Sequence, residues 1–232
     1  MDVDLATGFI WFVAFLFSTT VHEAMHALVA WKGGDPTAYH GGQVSLSPIP
    51  HIRREPIGML VVPLLTSMTQ GWAMGWASAP YDPVWAERHP QRAALMAAAG
   101  PAGNFGIALI AFVLIKAGLI AGFFVAPESA NFSRVVAMAG GDAGFIGTFL
   151  SIMLMLNVIL GTFNMLPLPP LDGGSVFSIF LPEALGRRLR ELQQNGALSM
   201  VGLLVAWRVF PYLTDPLFTA VLKLVHPGMS YG

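Results

Sequence analysis

Five apolar runs dominate this chain and limit what it can fold into. They cover residues 8–31, 58–79, 93–125, 145–166 and 198–213, and most reach the roughly 20 residues that a helix needs to cross a bilayer. Since lipid offers no hydrogen bonds to the backbone, such runs fold as helices. With 55% hydrophobic and 11% charged residues, the chain is predicted to be an all-α polytopic membrane protein with about four to six membrane segments.

Composition limits the metal ligands, partners and domain organisation that the chain can have. The 232 residues contain no cysteine, which excludes disulfides, cysteine-ligated zinc and thiol catalysis, so any metal ligands must be His or carboxylate. A net charge of −1 with dispersed basic residues predicts no nucleic-acid partner. We expect a single integral membrane domain over 1–232, with a catalytic core at about 8–178 and C-terminal membrane helices at about 198–226.

Three polar side chains stand together inside the first apolar run. Residues 22–26 read HEAMH, and positions i and i+4 of a helix share one face, so His22 and His26 can bind one zinc ion with Glu23 beside it as a base. A lone buried histidine is usually a core residue. Two histidines and a glutamate at this spacing favour a metal site, because unpaired polar groups in hydrocarbon are costly.

Two histidines leave a catalytic zinc short of one protein ligand. Asp172 is the most suggestive candidate, because it ends the segment NMLPLPPLDGG at residues 164–174, directly after an apolar run. The prolines break the helix and the glycines allow a tight turn, so irregular backbone presents the carboxylate at the membrane boundary. The alternative is an ordinary Asp-Gly turn at a helix end.

Three motifs together resemble the site-2 protease family of intramembrane zinc metalloproteases. They are HEAMH at 22–26, AGPAGN at 99–104 and an NxxPxxxLDG signature at 164–173, and the resemblance covers about residues 17–178. It implies one zinc ion per chain. It also implies that His22, His26 and Asp172 bind the metal and that Glu23 activates water. The family's asparagines match Asn104 and Asn164, which the resemblance suggests bind or orient the substrate backbone.

The resemblance implies a zinc metalloendopeptidase that hydrolyses peptide bonds within or near transmembrane segments of other proteins. Its partners would be a transmembrane protein substrate and the lipid bilayer, and its location the plasma membrane of a prokaryote. The chain is similar to compact members without an evident extra regulatory domain. The alternative is a metal-binding membrane transporter or scaffold without hydrolysis, and Glu23 distinguishes the two, since metal binding alone does not require the base.

Metal geometry constrains the path of the chain. His26 lies in the second half of its helix and Asp172 lies just beyond another, so the two helices must run in the same direction with an odd number of crossings between them. Of the two apolar segments in between, 58–79 is the weaker crossing, since Pro63, Gly71 and Gly75 interrupt it and its centre is polar. We predict that 58–79 is re-entrant.

The distribution of basic residues favours the same topology. With a re-entrant 58–79, eight basic residues fall on the side where the first helix ends and only Arg134 falls opposite. The eight are Lys32, Arg53, Arg54, Arg88, Arg92, Arg187, Arg188 and Arg190. If 58–79 crossed the membrane fully, the nine basic residues would divide five against four. Such a division would not favour either orientation of the chain in the membrane. Because cytoplasmic loops carry excess Lys and Arg, we expect the N-terminus outside and the active site nearer the cytoplasmic face.

Two further segments have local signals. Residues 40–47 alternate after a glycine turn, which predicts a short β-hairpin or strand; the alternative is an ordinary interfacial loop. An exposed strand edge there could pair with an extended substrate. At the C-terminus, 198–213 suggests a short crossing and 216–225 a separate partial helix.

Overall fold

The computed structural model describes residues 4–140, 144–194 and 196–229, and most of them are helical. The helices are α1 Leu5–Lys32, α2 Thr37–His40, α3 Pro48–Arg54, a π-helical turn Ile57–Val61 that continues into α4 Val62–Gln70, α5 Pro83–Arg88, α6 Pro90–Ile120, α7 Gly144–Asn164, α8 Asp172–Ser178, α9 Glu183–Gln194 and α10 Gly196–Val225. Two short antiparallel strands, β1 Phe124–Val125 and β2 Ala137–Met138, join α6 to α7.

Four of these helices, α1, α6, α7 and α10, are long and apolar enough to cross a membrane. The helix Ile57–Gln70 is apolar but shorter. The prediction of an all-α polytopic membrane protein is confirmed, and the chain is an integral membrane protein.

Helices α1 and α7 run in the same direction, with α6 returning between them. Near the start of α1, the indole of Trp11 donates to Ser133 Oγ at 2.8 Å, in the segment before α7. Near the end of α1, His26 Nε2 lies 3.3 Å from Asp172 Oδ1, beyond the end of α7. A metal site shared by His26 and Asp172 required these two helices to run in the same direction, and they do.

The apolar segment 58–79 folds back on itself. The carbonyl of Gly58 accepts the N–H of Trp76 at 3.1 Å, so the start and the end of the segment lie side by side. Its 14-residue helix, Ile57–Gln70, is about 21 Å long, shorter than the roughly 30 Å hydrocarbon core. Thr66 Oγ1 accepts the N–H of Met74 at 2.9 Å and satisfies one amide of the extended return. This path agrees with a re-entrant segment.

The strand expected at 40–47 is wrong. His40 ends α2, and the following residues form turns instead of a strand. Serine side chains compete for the backbone there: Ser45 Oγ accepts the N–H of Ser47 at 3.0 Å, and Ser47 caps α3. The buried imidazole of His51 also binds the Ser45 carbonyl, at 3.1 Å. The described strands instead lie between α6 and α7.

The expected break in the C-terminal region is also wrong. Gly196–Val225 forms one helix that contains both Pro211 and Pro216. Each proline removes a single backbone donor, which an apolar helix tolerates when local groups compensate. Thr214 Oγ1 donates to the carbonyl of Pro211 at 3.1 Å. Lys116 of α6 donates to the carbonyl of Val225 at 3.0 Å and so holds the far end of the helix.

A buried carboxylate ties the end of α1 to the start of α5. Asp35 is 1% exposed. Its Oδ1 accepts the N–H of Thr37 at 3.0 Å, and its Oδ2 accepts the N–H of Asp82 at 2.8 Å. Burial raises the pKa of this carboxyl, but the hydrogen bonds from Thr37 and Asp82 outweigh it and lower the pKa below its ordinary value.

Replacing Asp35 by alanine is expected to destabilise the protein by roughly 1–3 kcal/mol, since buried amides lose their acceptor. Because its pKa is lower in the folded state, the Asp35 carboxylate stabilises the fold above its unfolded pKa of about 3.9, and this contribution fades as the pH falls further. Thermal unfolding in detergent at pH 7 and pH 3 checks both points. If the difference between wild type and Asp35→Ala does not shrink at pH 3, the titration is wrong.

Candidate metal centre

His22, His26 and Asp172 converge on one point. The two Nε2 atoms lie 2.9 Å apart, His22 Nε2 lies 3.2 Å from Asp172 Oδ2 and His26 Nε2 lies 3.3 Å from Asp172 Oδ1. Ligand atoms about 2.0–2.1 Å from a tetrahedral zinc are separated by roughly 3.3 Å. The distances between the donor groups, 2.9 to 3.3 Å, are close to this separation, so the three side chains could supply three of the four ligands of a zinc ion.

Each imidazole is oriented by a hydrogen bond at its other nitrogen. His26 Nδ1 donates to the carbonyl of Met96 at 2.7 Å, and His22 Nδ1 donates to Asn104 Oδ1 at 2.6 Å. Both acceptors lie on α6. With the proton on Nδ1, the lone pair of each Nε2 faces Asp172, which is the tautomer a metal ligand needs.

Behind His22 lies a fully buried polar network. Asn104 and Asn157 are both 0% exposed. Asn104 Nδ2 donates to Asn157 Oδ1 at 2.8 Å, and Asn157 Nδ2 donates to Ser18 Oγ at 2.9 Å and to the carbonyl of Met153 at 2.8 Å. Because Asn157 Oδ1 accepts from Asn104 Nδ2, the oxygen of the Asn104 amide faces His22. The network joins α1, α6 and α7 beside the candidate ligands.

Glu23 lies beside the two histidines and is 5% exposed. One ligand atom from each of His22, Glu23 and His26 lies within 4.8 Å of the others. Among the described residues, Glu23 Oε2 is a buried atom without a hydrogen-bond partner. Such a carboxylate oxygen is costly to keep and fits a group that faces a metal-bound reactant.

Glycine allows α6 to approach the histidines. A Cβ atom on Gly100 would overlap the imidazole of His26 and lie 2.6 Å from His22 Nε2. Any side chain here would displace the imidazoles. Gly173 has a similar role next to Asp172, because a Cβ there would overlap the carbonyl oxygens of Met165 and Leu166.

Asp172 is the first residue of α8, directly after the proline-rich segment. Its Oδ2 and Oδ1 lie 3.2 and 3.3 Å from the Nε2 atoms of His22 and His26. A carboxylate is ionised at neutral pH, as a metal ligand must be.

The structure brings together His22, Glu23, His26 and Asp172, and places Asn104 against His22. Asn164 lies apart from this network, half-buried at the end of α7, where its Nδ2 donates to the carbonyl of Leu160 at 3.0 Å. Sequence reasoning missed Ser18, Gly100 and Asn157. An asparagine inside the apolar run at 145–166 was a usable signal, because amides are rarely idle in membrane helices.

A helical membrane protein with a buried HExxH motif and a nearby carboxylate defines a class, the membrane-embedded metalloproteases. The chain belongs to peptidase family M50, whose sequence model matches residues 10–208. This confirms the resemblance to the site-2 protease family. The chain is a zinc metalloprotease of the site-2 type.

Two bacterial relatives support this assignment. The chain is 29% identical over 217 residues to YwhC of Bacillus subtilis (strain 168), named as an inferred zinc metalloprotease, covering 91% of this chain and 89% of the relative. It is 28% identical over 193 residues to Rip2 of Mycolicibacterium smegmatis (strain ATCC 700084 / mc(2)155), which carries the same kind of name. That match covers 82% of this chain and 64% of Rip2. No solved structure matches the chain.

Proposed function

We propose that this protein is an intramembrane endopeptidase that cleaves peptide bonds within or near transmembrane segments of other proteins. His22, His26 and Asp172 would hold one zinc ion per chain. The observation that carries the proposal is the unpartnered buried oxygen of Glu23, next to three side chains whose donor atoms lie close to zinc-ligand spacing. A site that bound metal for structure alone would not need this carboxylate.

When bound, zinc lowers the pKa of water to about 7 and polarises the scissile carbonyl. Glu23 would take the proton from the attacking water and deliver it to the leaving amine. His22 and His26 are held in the required tautomer by Asn104 and by the Met96 carbonyl. His22, Glu23 and His26 are all buried, which limits the access of competing water to the site.

The two asparagines are proposed to have different roles. The polar atoms of Asn104 are engaged with His22 and Asn157, so we assign it to positioning His22 instead of the substrate contact that the resemblance implied. Asn164 remains the candidate for binding substrate backbone. A substrate helix must unwind to expose a peptide bond, and its freed backbone groups need partners inside the membrane.

We propose that the active site lies nearer the cytoplasmic face and that the N-terminus lies outside, in the plasma membrane of a prokaryote. Several cations gather at the end of the molecule that holds the site. Arg92 donates to the carbonyl of Gly33 at the end of α1 at 3.0 Å. Arg190 donates to Ser178 of the Asp172 helix at 3.3 Å. Their clustering agrees with the positive-inside rule.

Metal removal tests the proposed function in purified protein reconstituted in liposomes with a labelled transmembrane substrate. We expect about one zinc per chain by elemental analysis, consistent with one three-ligand centre. Treatment with 1,10-phenanthroline should abolish cleavage, and added zinc should restore it. Mass spectrometry of the products should place the cut within or next to the transmembrane segment. Stoichiometric zinc without cleavage of any membrane substrate would favour a transporter or scaffold.

Gly100→Ala should weaken zinc binding, because the added methyl group displaces both imidazoles. We expect a roughly 10- to 100-fold loss of zinc affinity, as for disturbed outer-shell contacts. Gly106→Ala is the matched control on the same helix, since a Cβ there meets nothing within 4 Å. Equal zinc affinity in the two variants would contradict the close approach of α6.

Cysteine labelling tests the orientation, because the chain has no cysteine of its own. Arg88→Cys, in the exposed end of α5, should react with a membrane-impermeant maleimide only after the cytoplasmic face is opened. Glu128→Cys, in the exposed segment between the strands, should react from outside in intact cells. The reverse pattern would overturn the proposed orientation.

A further inference from the structure

The helix that carries Asp172 is short and begins without a side-chain cap. α8 has seven residues, and its N-cap residue, Leu171, makes no side-chain capping hydrogen bond. The segment before it contains Pro167, Pro169 and Pro170, which donate no backbone hydrogen bonds. Helices this short are marginal without tertiary support. The direction in which Asp172 points therefore depends on what packs against α8.

Gln193 of α9 forms two hydrogen bonds with the first turn of α8. Its Nε2 donates to the carbonyl of Leu171 at 2.9 Å, and its Oε1 accepts from Ser175 Oγ at 2.6 Å. Leu171 precedes Asp172 and Ser175 follows it by three positions. The amide group of Gln193 therefore binds the chain on both sides of the candidate ligand. Gly174 makes room for this contact, because a Cβ there would lie 2.9 Å from Gln193 Cδ and nearer still to Nε2.

Further contacts hold α9 against α8. A Cβ on Gly186 would overlap the carbonyl oxygen of Ser178, which shows how closely the two backbones approach. Arg190 Nη1 donates to Ser178 Oγ at 3.3 Å. At the other end of α9, Ser199 Oγ of α10 donates to the carbonyl of Gln193 at 3.2 Å. Ser199 thus holds the backbone of Gln193, and the side chain of Gln193 binds the first turn of α8.

We propose that Gln193 is a positioning residue that holds Asp172 in metal-binding geometry. This inference rests on the proposed zinc ligation by Asp172. The two hydrogen bonds oppose rotation of the first turn of α8, and rotation would carry the Asp172 oxygens away from His22 and His26. Loss of groups that orient a metal ligand commonly lowers metal affinity about 10- to 100-fold.

Zinc release from the full-length protein in detergent tests this role. With 4-(2-pyridylazo)resorcinol as the chelator, Gln193→Ala should release zinc about tenfold faster than wild type or more. Ser175→Ala, which loses one of the two bonds, should release it at an intermediate rate. Glu191→Ala, an exposed position on the same helix, is the matched control and should behave as wild type.

Two further readouts separate positioning from general stability. Cobalt-substituted Gln193→Ala should show altered visible absorption bands, because the ligand field around the metal changes. In the cleavage assay its kcat should fall while KM stays the same, since no substrate contact is removed. A variant that only loosened the fold would lower the unfolding temperature and leave the cobalt spectrum unchanged.

The outcomes are distinguishable from failure of the proposed function. If wild-type protein binds no zinc, the proposed ligand set is wrong, and the role proposed for Gln193 is wrong as well. If wild type binds zinc and Gln193→Ala releases it at the same rate with the same cobalt spectrum, only the role of Gln193 is overturned. If Gln193→Ala does not fold, zinc release is measured with Ser175→Ala instead. A wild-type rate of zinc release for Ser175→Ala refutes the proposal.

Discussion

Glu23→Gln protein should bind zinc as wild type does and lose cleavage of membrane substrates by about 10²- to 10⁴-fold, the usual contribution of a general base. Glutamine has nearly the same shape as glutamate but cannot take a proton from water. The substitution leaves in place the three side chains that would bind the metal, His22, His26 and Asp172. Zinc content by elemental analysis and product formation from a labelled transmembrane substrate are the two measurements.

Glu128→Gln makes the same chemical change in an exposed segment between β1 and β2, and it should leave both measurements unchanged. Normal cleavage by Glu23→Gln would rule out the proposed base. It would also remove the main reason to prefer an enzyme over a metal-binding scaffold.

Asp172→Ala should lose both zinc and cleavage. Loss of outer-shell partners already lowers metal affinity about 10- to 100-fold, so removal of a direct ligand should exceed 100-fold and leave no measurable activity at ordinary zinc concentrations. The two imidazoles alone would hold the ion weakly. Zinc titration with a competing chelator measures the change, and the cleavage assay should report the same loss.

Asp172→Asn separates ligation from local structure. The amide has nearly the same shape as the carboxylate, but it lacks the negative charge that a zinc ligand supplies. We expect Asp172→Asn to fold with an unchanged thermal transition and still to bind zinc far more weakly than wild type. If both Asp172 variants retained zinc at the wild-type release rate, Asp172 would be an ordinary Asp-Gly turn residue and the third ligand would lie elsewhere.

Much of the fold was predictable because it depends on hydropathy and on covalent chain direction. The spans at 8–31, 93–125 and 145–166 correspond to α1, α6 and α7 within a few residues. Residues 40–47 failed because serine and histidine side chains satisfy the backbone locally, and alternation over so few residues is a weak signal. The break expected near Pro216 failed because a proline costs one hydrogen bond and the helix stays apolar on both sides of it.

The candidate site was predictable where its residues follow a helical period or a sharp sequence boundary. His22, Glu23 and His26 lie on one helix turn, and Asp172 follows a run of prolines. Gly100 was not predictable, because glycine is common in membrane helices and its sequence does not say which neighbour approaches it. Gln193 was not predictable either, because a glutamine on an amphipathic helix such as α9 is usually solvated.

The buried asparagine network also determines when this protein can mature. Asn104 follows its partner His22 by 82 positions, and Asn157 follows Ser18 by 139 positions. At about 5–20 residues translated per second, α1 waits roughly 7 to 28 s at the insertion machinery before α7 has been made. Until then Ser18 has no partner from α7. A nascent chain stopped before α7 therefore keeps part of this polar network unpaired in the membrane, and the protease acquires its candidate site only after α7 and Asp172 have been made.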